Sequence, residues 1–151
     1  MAVQSAAASP EFLYWVKNAD GKNPLVAVNA VTGGYVGMSG LIPGLRFAPA
    51  KPGDILTIYG VSFGPTAPAF APGTAPATTA ATVNAASVKM GTVTLNADDV
   101  LYAGVSPGIA GLYQLNIRVP ANLGDGDQAV TLTLGSFQTP SLGFVTVKAG
   151  Q

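Results

Sequence analysis

The chain has 151 residues with a formal net charge of zero, and only 9% of them are charged, against roughly a quarter in ordinary globular domains. It contains no His and no Cys, so imidazole acid–base catalysis, thiolate nucleophiles, disulfides and zinc sites built on those ligands are excluded. An apolar content of 48% marks a folding chain rather than a disordered one, while 19 Gly and 12 Pro leave little room for long helices.

Residues 1–10 (MAVQSAAASP) are small and nearly uncharged and read as a flexible lead or tail, with residues 11–151 as a single domain. Within it, 11–50 reads as an N-terminal hairpin plus connector and 51–149 as the sandwich proper. Phe12–Val16 is an aromatic and β-branched run; Asn18-Ala19-Asp20-Gly21 is a turn, and Leu25–Val31 returns at hairpin distance. Glycines at 33, 34, 37, 40 and 44 and Pro43 predict an irregular connector over 35–45. Pro52-Gly53-Asp54 opens a strand over Ile55–Tyr59, and Thr66–Ala81 is a low-complexity Ala/Pro/Thr loop without charge. The alanines of 78–90 permit a helix, but Thr82, Val83 and Val88 favour loop then strand.

Four further strand signals follow after a short one at Thr92–Leu95: Val100–Ala103, Gly111–Val119, Ala129–Leu134 and Gly143–Val147. In Gly111–Val119 the set Tyr113, Leu115, Ile117 and Val119 shares one face by period-two alternation. The expected fold is all-β, an immunoglobulin-like antiparallel β-sandwich of about nine short strands with an extra N-terminal hairpin and a long Pro/Ala/Thr loop. Its expected core is Ile55, Ile58, Val88, Leu101, Tyr113, Leu115, Ile117, Val119, Val130, Leu132, Phe144 and Val147.

Three blocks carry a family resemblance: Pro52-Gly53-Asp54-Ile55-Leu56-Thr57-Ile58-Tyr59-Gly60-Val61-Ser62-Phe63-Gly64, Val100-Leu101-Tyr102-Ala103-Gly104-Val105-Ser106-Pro107-Gly108, and Gly111-Leu112-Tyr113-Gln114-Leu115-Asn116-Ile117-Arg118-Val119-Pro120. Their order resembles a Solibacter-type family of uncharacterised C-terminal domains abundant in large secreted proteins of acidobacteria. Leu41–Phe47 and Gly143–Val147 are similar to it as well, extending the likeness over about Leu25 to Lys148. The Pro-Gly-Asp start with Ile-Tyr-Gly-x-x-Phe-Gly is similar, more loosely, to immunoglobulin-like IPT/TIG domains. The resemblance implies an extracellular or cell-envelope setting and a place at the end of a longer polypeptide. It brings no catalytic or binding residues with it.

The residues themselves offer few sites. Asp98 and Asp99 are adjacent, and neighbours on a strand point apart, so a turn or strand-end role is expected rather than a carboxylate dyad. Gly37-Met38-Ser39-Gly40 lacks the pattern and the base of a nucleophile elbow. Asp125 and Asp127, near Asn122, form a weak calcium candidate for which a solvated turn is the simpler reading; otherwise no metal and no cofactor are expected. Candidate ligand-binding residues are Tyr14, Trp15, Tyr35 and Phe70, planar rings able to stack on sugars, with core plugging as their plainer role.

Basic residues are scattered singly and no apolar run reaches about 18 residues, so neither nucleic-acid binding nor membrane insertion is expected. The first basic residue is Lys17, so no signal peptide is read in this chain. The leading expectation is a non-catalytic structural or surface-attachment module of a larger secreted protein, partnered by other domains of that polypeptide or by itself. The alternatives are a carbohydrate-binding module using exposed aromatics, and a self-assembling surface or filament subunit that adds residues 11–31 as strands to a neighbour.

Overall fold

The structure is a computed structural model that describes residues 9–70 and 73–149. In chain order its strands are β1 (Glu11–Phe12), β2 (Asn23–Pro24), β3 (Ala27–Asn29), β4 (Tyr35–Val36), β5 (Phe47–Ala48), β6 (Ile55–Val61), β7 (Thr66–Ala67), β8 (Ala81–Thr82) and β9 (Ala86–Met90). There follow β10 (Val93–Thr94), β11 (Val100–Val105), β12 (Tyr113–Arg118), β13 (Gly126–Leu134), β14 (Phe137–Gln138) and β15 (Gly143–Val147), with one 3₁₀ turn at Ala97–Asp99. They form two sheets. One runs β5-β4-β3-β6-β12-β11-β8-β7 with β1 also on β6, and the other runs β10-β9-β13-β15-β2 with β14 on β13.

The longest strands form where apolar residues alternate. On β13, Val130, Leu132 and Leu134 are fully buried while the intervening threonines are half-exposed; on β12, Leu115 and Ile117 are buried. These two sets face one another and, with Leu56, Ile58, Val88 and Met90, fill the space between the sheets. The architecture is therefore an all-β sandwich. Its sheets are mixed rather than purely antiparallel: β15 pairs with β2 and β4 with β5 in parallel, and Ala50 bridges Val147 in parallel.

The N-terminal hairpin straddles both sheets. The Leu13 N–H donates to Tyr59 O at 3.0 Å on β6, while the Leu25 N–H donates to Phe144 O at 3.0 Å on β15; one residue further, Val26 O accepts from Tyr59 N–H at 3.0 Å. Residues 11–31 thus pair within their own chain. Leu25, Ala27, Val36 and Ala50 belong to the same core cluster as Leu56 and Leu132, so the segment 11–50 is packed into the sandwich. Ser9 and Pro10 are also held, the first through its N–H to Ser62 O at 3.0 Å and the second by burial. The remainder of the expected lead, residues 1–8, lies outside the described residues.

Several expectations need correction. Leu101 is 43% exposed, because the β11–β12 register shifts between Val100 and Tyr102 and the extra residue of a bulge loses its place in the alternation. Ile55 and Phe144 are only partly buried, being on the outer faces of their strands, and Tyr113 packs at the margin of the core. The connector over 35–45 contains β4. The two ends of the uncharged 66–81 loop pair as β7 and β8. Asp98 and Asp99, for which a turn or strand-end role was expected, sit on the 3₁₀ turn before β11.

Phe63, just past β6, is fully buried, edge-on to Phe12 at 6.3 Å and stacked on Tyr113 at 5.2 Å. Its ring lies against Gly60, where an added Cβ would stand 2.7 Å from Phe63 Cε1 and 2.6 Å from the Glu11 carbonyl oxygen. Neither the β1 backbone nor a buried ring can yield. Gly60→Ala is expected to cost about 1–3 kcal/mol or more, whereas Gly124→Ala, with nothing within 4 Å, changes stability by under about 0.5 kcal/mol. Denaturant midpoints of the two variants test this.

Candidate functional site

Alternation along the first arm of the hairpin sends Tyr14 and Trp15 to opposite sides. Tyr14 bridges Leu25 and packs against the core, and burial, with the nearby Glu11 charge as a lesser cause, raises its phenol pKa above the ordinary value. Trp15 turns outward and meets two rings. Tyr35 and Phe47 are directly paired between β4 and β5, so they project from one face, with centroids 5.6 Å apart. Trp15 lies 5.2 Å from each, edge-on to Phe47 at 88° and tilted 54° to Tyr35. Phe47 is buried beneath the group, while Tyr35 is 39% exposed. The Trp15 indole Nε1 is buried without a hydrogen-bond acceptor.

The register carries this outward row across the sheet. Tyr35 pairs with Val28, Val28 with Thr57, Thr57 with Asn116 and Asn116 with Tyr102. The row is uncharged from Phe47 to Tyr102. Beside it the Gln114 amide donates to Asn116 Oδ1 at 3.3 Å. The Tyr102 hydroxyl accepts from Ala80 N–H at 3.1 Å and lies 2.7 Å from Val105 O, pinning the end of the 66–81 loop. Burial raises its pKa, against a smaller lowering by the Ala80 backbone. Gly104 permits this knot, since a Cβ there would run into the Ala80 carbonyl oxygen and the Tyr102 hydroxyl.

Phe70 joins none of these rings. It follows β7, at the opposite end of the sheet order from β4 and β5. Of the four aromatic candidates, therefore, the fold brings together Trp15 and Tyr35, turns Tyr14 inward and places Phe70 elsewhere. Phe47 was not singled out in the sequence; its only signal was an aromatic residue after a glycine-rich connector, which does not reveal its pairing with Tyr35 on the far side of that connector.

Around the corner from the aromatic group lies a cleft of about 430 Å³ on the outer side of β13 and β15. One wall is the hairpin turn, whose shape follows from its residues. Gly21 takes φ +79°, the Asn18 N–H donates to the buried Asn23 Oδ1 at 2.8 Å, the Asn18 amide donates to Lys22 O at 2.8 Å, and the Lys22 N–H donates to Asp20 Oδ1 at 2.9 Å. Across from it, Asp127 and Thr146 are register partners, and the Thr146 hydroxyl donates to Asp127 Oδ1 at 2.7 Å. Pro24, Met38, Leu41, Leu142 and Phe144 supply apolar surface. The two features are contiguous, because Leu41 and Phe47 both pack over Gly37, 3.2 Å and 2.9 Å from where its Cβ would stand.

Both carboxylates of the calcium candidate are engaged at the C-terminal end of the chain: Asp125 Oδ1 accepts from the Ala149 N–H at 2.8 Å and Asp127 Oδ1 from the Thr146 hydroxyl. Among the described residues no group of three or more His, Cys, Asp or Glu side chains is placed to hold a metal ion. Asp99 pairs with Arg118 at 3.5 Å, an exposed contact of small energetic weight. No family model, curated protein or solved structure matches the chain.

Two predictions follow from the rings. Trp15→Ala is expected to cost about 2–3 kcal/mol, low in the range for large aromatics because the ring is partly exposed. Trp15→Phe should cost under about 1 kcal/mol, since it removes an unsatisfied buried donor along with some contact area; thermal or chemical melts distinguish the two. For Tyr14 and Tyr102 a raised folded-state pKa means that their contribution is fully present below about pH 10, the unfolded value, and is lost as pH climbs through the folded-state values. Unfolding free energy measured against pH should decline above about 10, with a shallower decline in Tyr102→Phe.

Proposed function

We propose that this chain is a non-catalytic, immunoglobulin-like extracellular module of a longer secreted protein, serving structure or surface attachment. The observation that carries the reading is the use of its acidic side chains. Of seven acidic residues, Asp20, Asp54, Asp125 and Asp127 accept hydrogen bonds that close turns or tie the last strand, and Asp99 pairs with Arg118. In a chain without His or Cys, carboxylates are the foremost acid–base groups, and here they hold the frame.

Attachment through carbohydrate is the second reading, favoured by the half-buried Trp15 and exposed Tyr35 and by the partly exposed amides of Asn116 and Gln114 along the same uncharged row, in which Phe47 and Thr57 are buried. Ring faces for the C–H surfaces of sugars and amides for their hydroxyls are the complementary chemistry. Strand addition by residues 11–31 to a neighbour receives less support, because that segment's backbone groups pair with β6 and β15 of its own chain.

Incubation of the purified chain with chromogenic glycoside, ester, phosphate and peptide substrates should give no turnover. Turnover abolished by a single Asp→Asn change would overturn the non-catalytic reading. Retention on a panel of soluble and insoluble polysaccharides, reduced about tenfold by Tyr35→Ala in a protein of unchanged circular dichroism, would establish attachment through carbohydrate; retention on none of them would leave the structural role.

A further inference from the structure

We propose that the cleft between the hairpin turn and the outer side of β13 and β15 binds the end of a neutral saccharide, about one or two pyranose units. The proposal rests on the carbohydrate reading above but places recognition at a site separate from the aromatic row. Its volume of about 430 Å³ lies near the small end of the range for ligand pockets, roughly 300–1,000 Å³, which suits a chain end rather than a long segment.

The chemistry of the walls selects the ligand. The apolar part of the lining is the Phe144 ring with Met38 and Leu142, the latter two 60% and 48% exposed. The polar part is Asp20 and Lys22 on the turn and Asp127 on β13. A lipid chain or apolar peptide segment would strip water from three charged side chains without replacing their hydrogen bonds, at a cost of several kcal/mol. A phosphate or other anion would meet two carboxylates for one ammonium. A sugar has one face of C–H groups and a rim of hydroxyls that both donate and accept, so it satisfies both sides together.

The polar groups are also oriented before any ligand arrives. Asp20 uses Oδ1 on the Lys22 backbone, and Asp127 uses Oδ1 on Thr146, which restrains each carboxylate and leaves Oδ2 for a hydroxyl. Binding to groups already held in place forfeits less conformational entropy. The register of β13 against β15 and the closed turn at 18–22 are therefore what make the site.

Titration of ¹⁵N-labelled protein with cellobiose, maltose, xylobiose and N,N′-diacetylchitobiose, followed by NMR, tests the proposal. At least one sugar is expected to shift the amide resonances of residues lining the cleft. Lys22→Ala and Ala129→Leu should each weaken that binding about tenfold or more, the second by filling the floor from an exposed position, while Tyr35→Ala leaves it within about twofold. Unchanged circular dichroism and melting midpoints confirm that each variant is folded. Sugar binding insensitive to both cleft variants but lost in Tyr35→Ala would overturn this site and keep the carbohydrate reading. Retention on polysaccharides without binding of any of the four short sugars would do the same, and absence of both would overturn site and reading together.

Discussion

The way the N-terminal segment is shared between two sheets governs most of what surrounds it. Within a few residues the backbone leaves β6 at Leu13, bridges Tyr14 to Leu25, and passes to β15 through Leu25 before returning to β6 at Val26. A sandwich otherwise has open strand edges, whose unpaired N–H and C=O groups invite other chains. Here the hairpin and the Ala50–Val147 bridge occupy the β15 edge from within. The approach is close enough that a Cβ at Gly143 would collide with the Leu25 side chain, so glycine at that position is a condition of the crossing.

Both candidate binding features are consequences of that crossing. Because Tyr14 turns into the core to seal the junction, Trp15 must turn out, and it finds Tyr35 and Phe47 brought side by side by a parallel pairing. Because the return arm docks on β15, the turn at Asn18–Lys22 is carried over the outer face of the second sheet and walls the cleft. The connector after β4 contributes Met38 and Leu41 to one feature and frames Phe47 in the other. One backbone path thus places Trp15 beside Tyr35 and Phe47 and carries Asp20 and Lys22 to the cleft.

The shortage of charge acquires a structural explanation. Few acidic residues are present; Asp20, Asp54 and Asp125 accept from backbone N–H groups in turns or just past the last strand, and Asp127 accepts from the Thr146 hydroxyl. Such bonds contribute on the order of 1 kcal/mol each, modest individually, but they orient the turns they close. The ends of the uncharged 66–81 stretch are held in a similar way, by the Tyr102 hydroxyl against Ala80 and by the short β7–β8 pair.

Nine strand signals in the sequence correspond to strands or bridges in the structure, because period-two alternation of apolar residues is a local property and the solvent contrast that it reflects is strong. Ile58, Leu115, Ile117, Val119, Val130 and Leu132 were legible as core for that reason, whereas on β6 the expectation took the outward Ile55 in place of the buried Leu56. Leu101 was not, since a bulge depends on the partner strand. Two-residue strands such as β4, β5 and β7 were not, since they carry no period and exist only by pairing. Of the site, the opposition of Tyr14 and Trp15 was legible, but which of them faces inward was not. The sequence by itself determined an all-β chain without imidazole or thiol chemistry, its main turns and the alternating core positions of its longest strands. Only the tertiary structure decided that Trp15 meets Tyr35 and Phe47 and that Asp20, Lys22 and Asp127 line one cleft, because those meetings depend on register and on a sheet-crossing path between residues far apart in the chain.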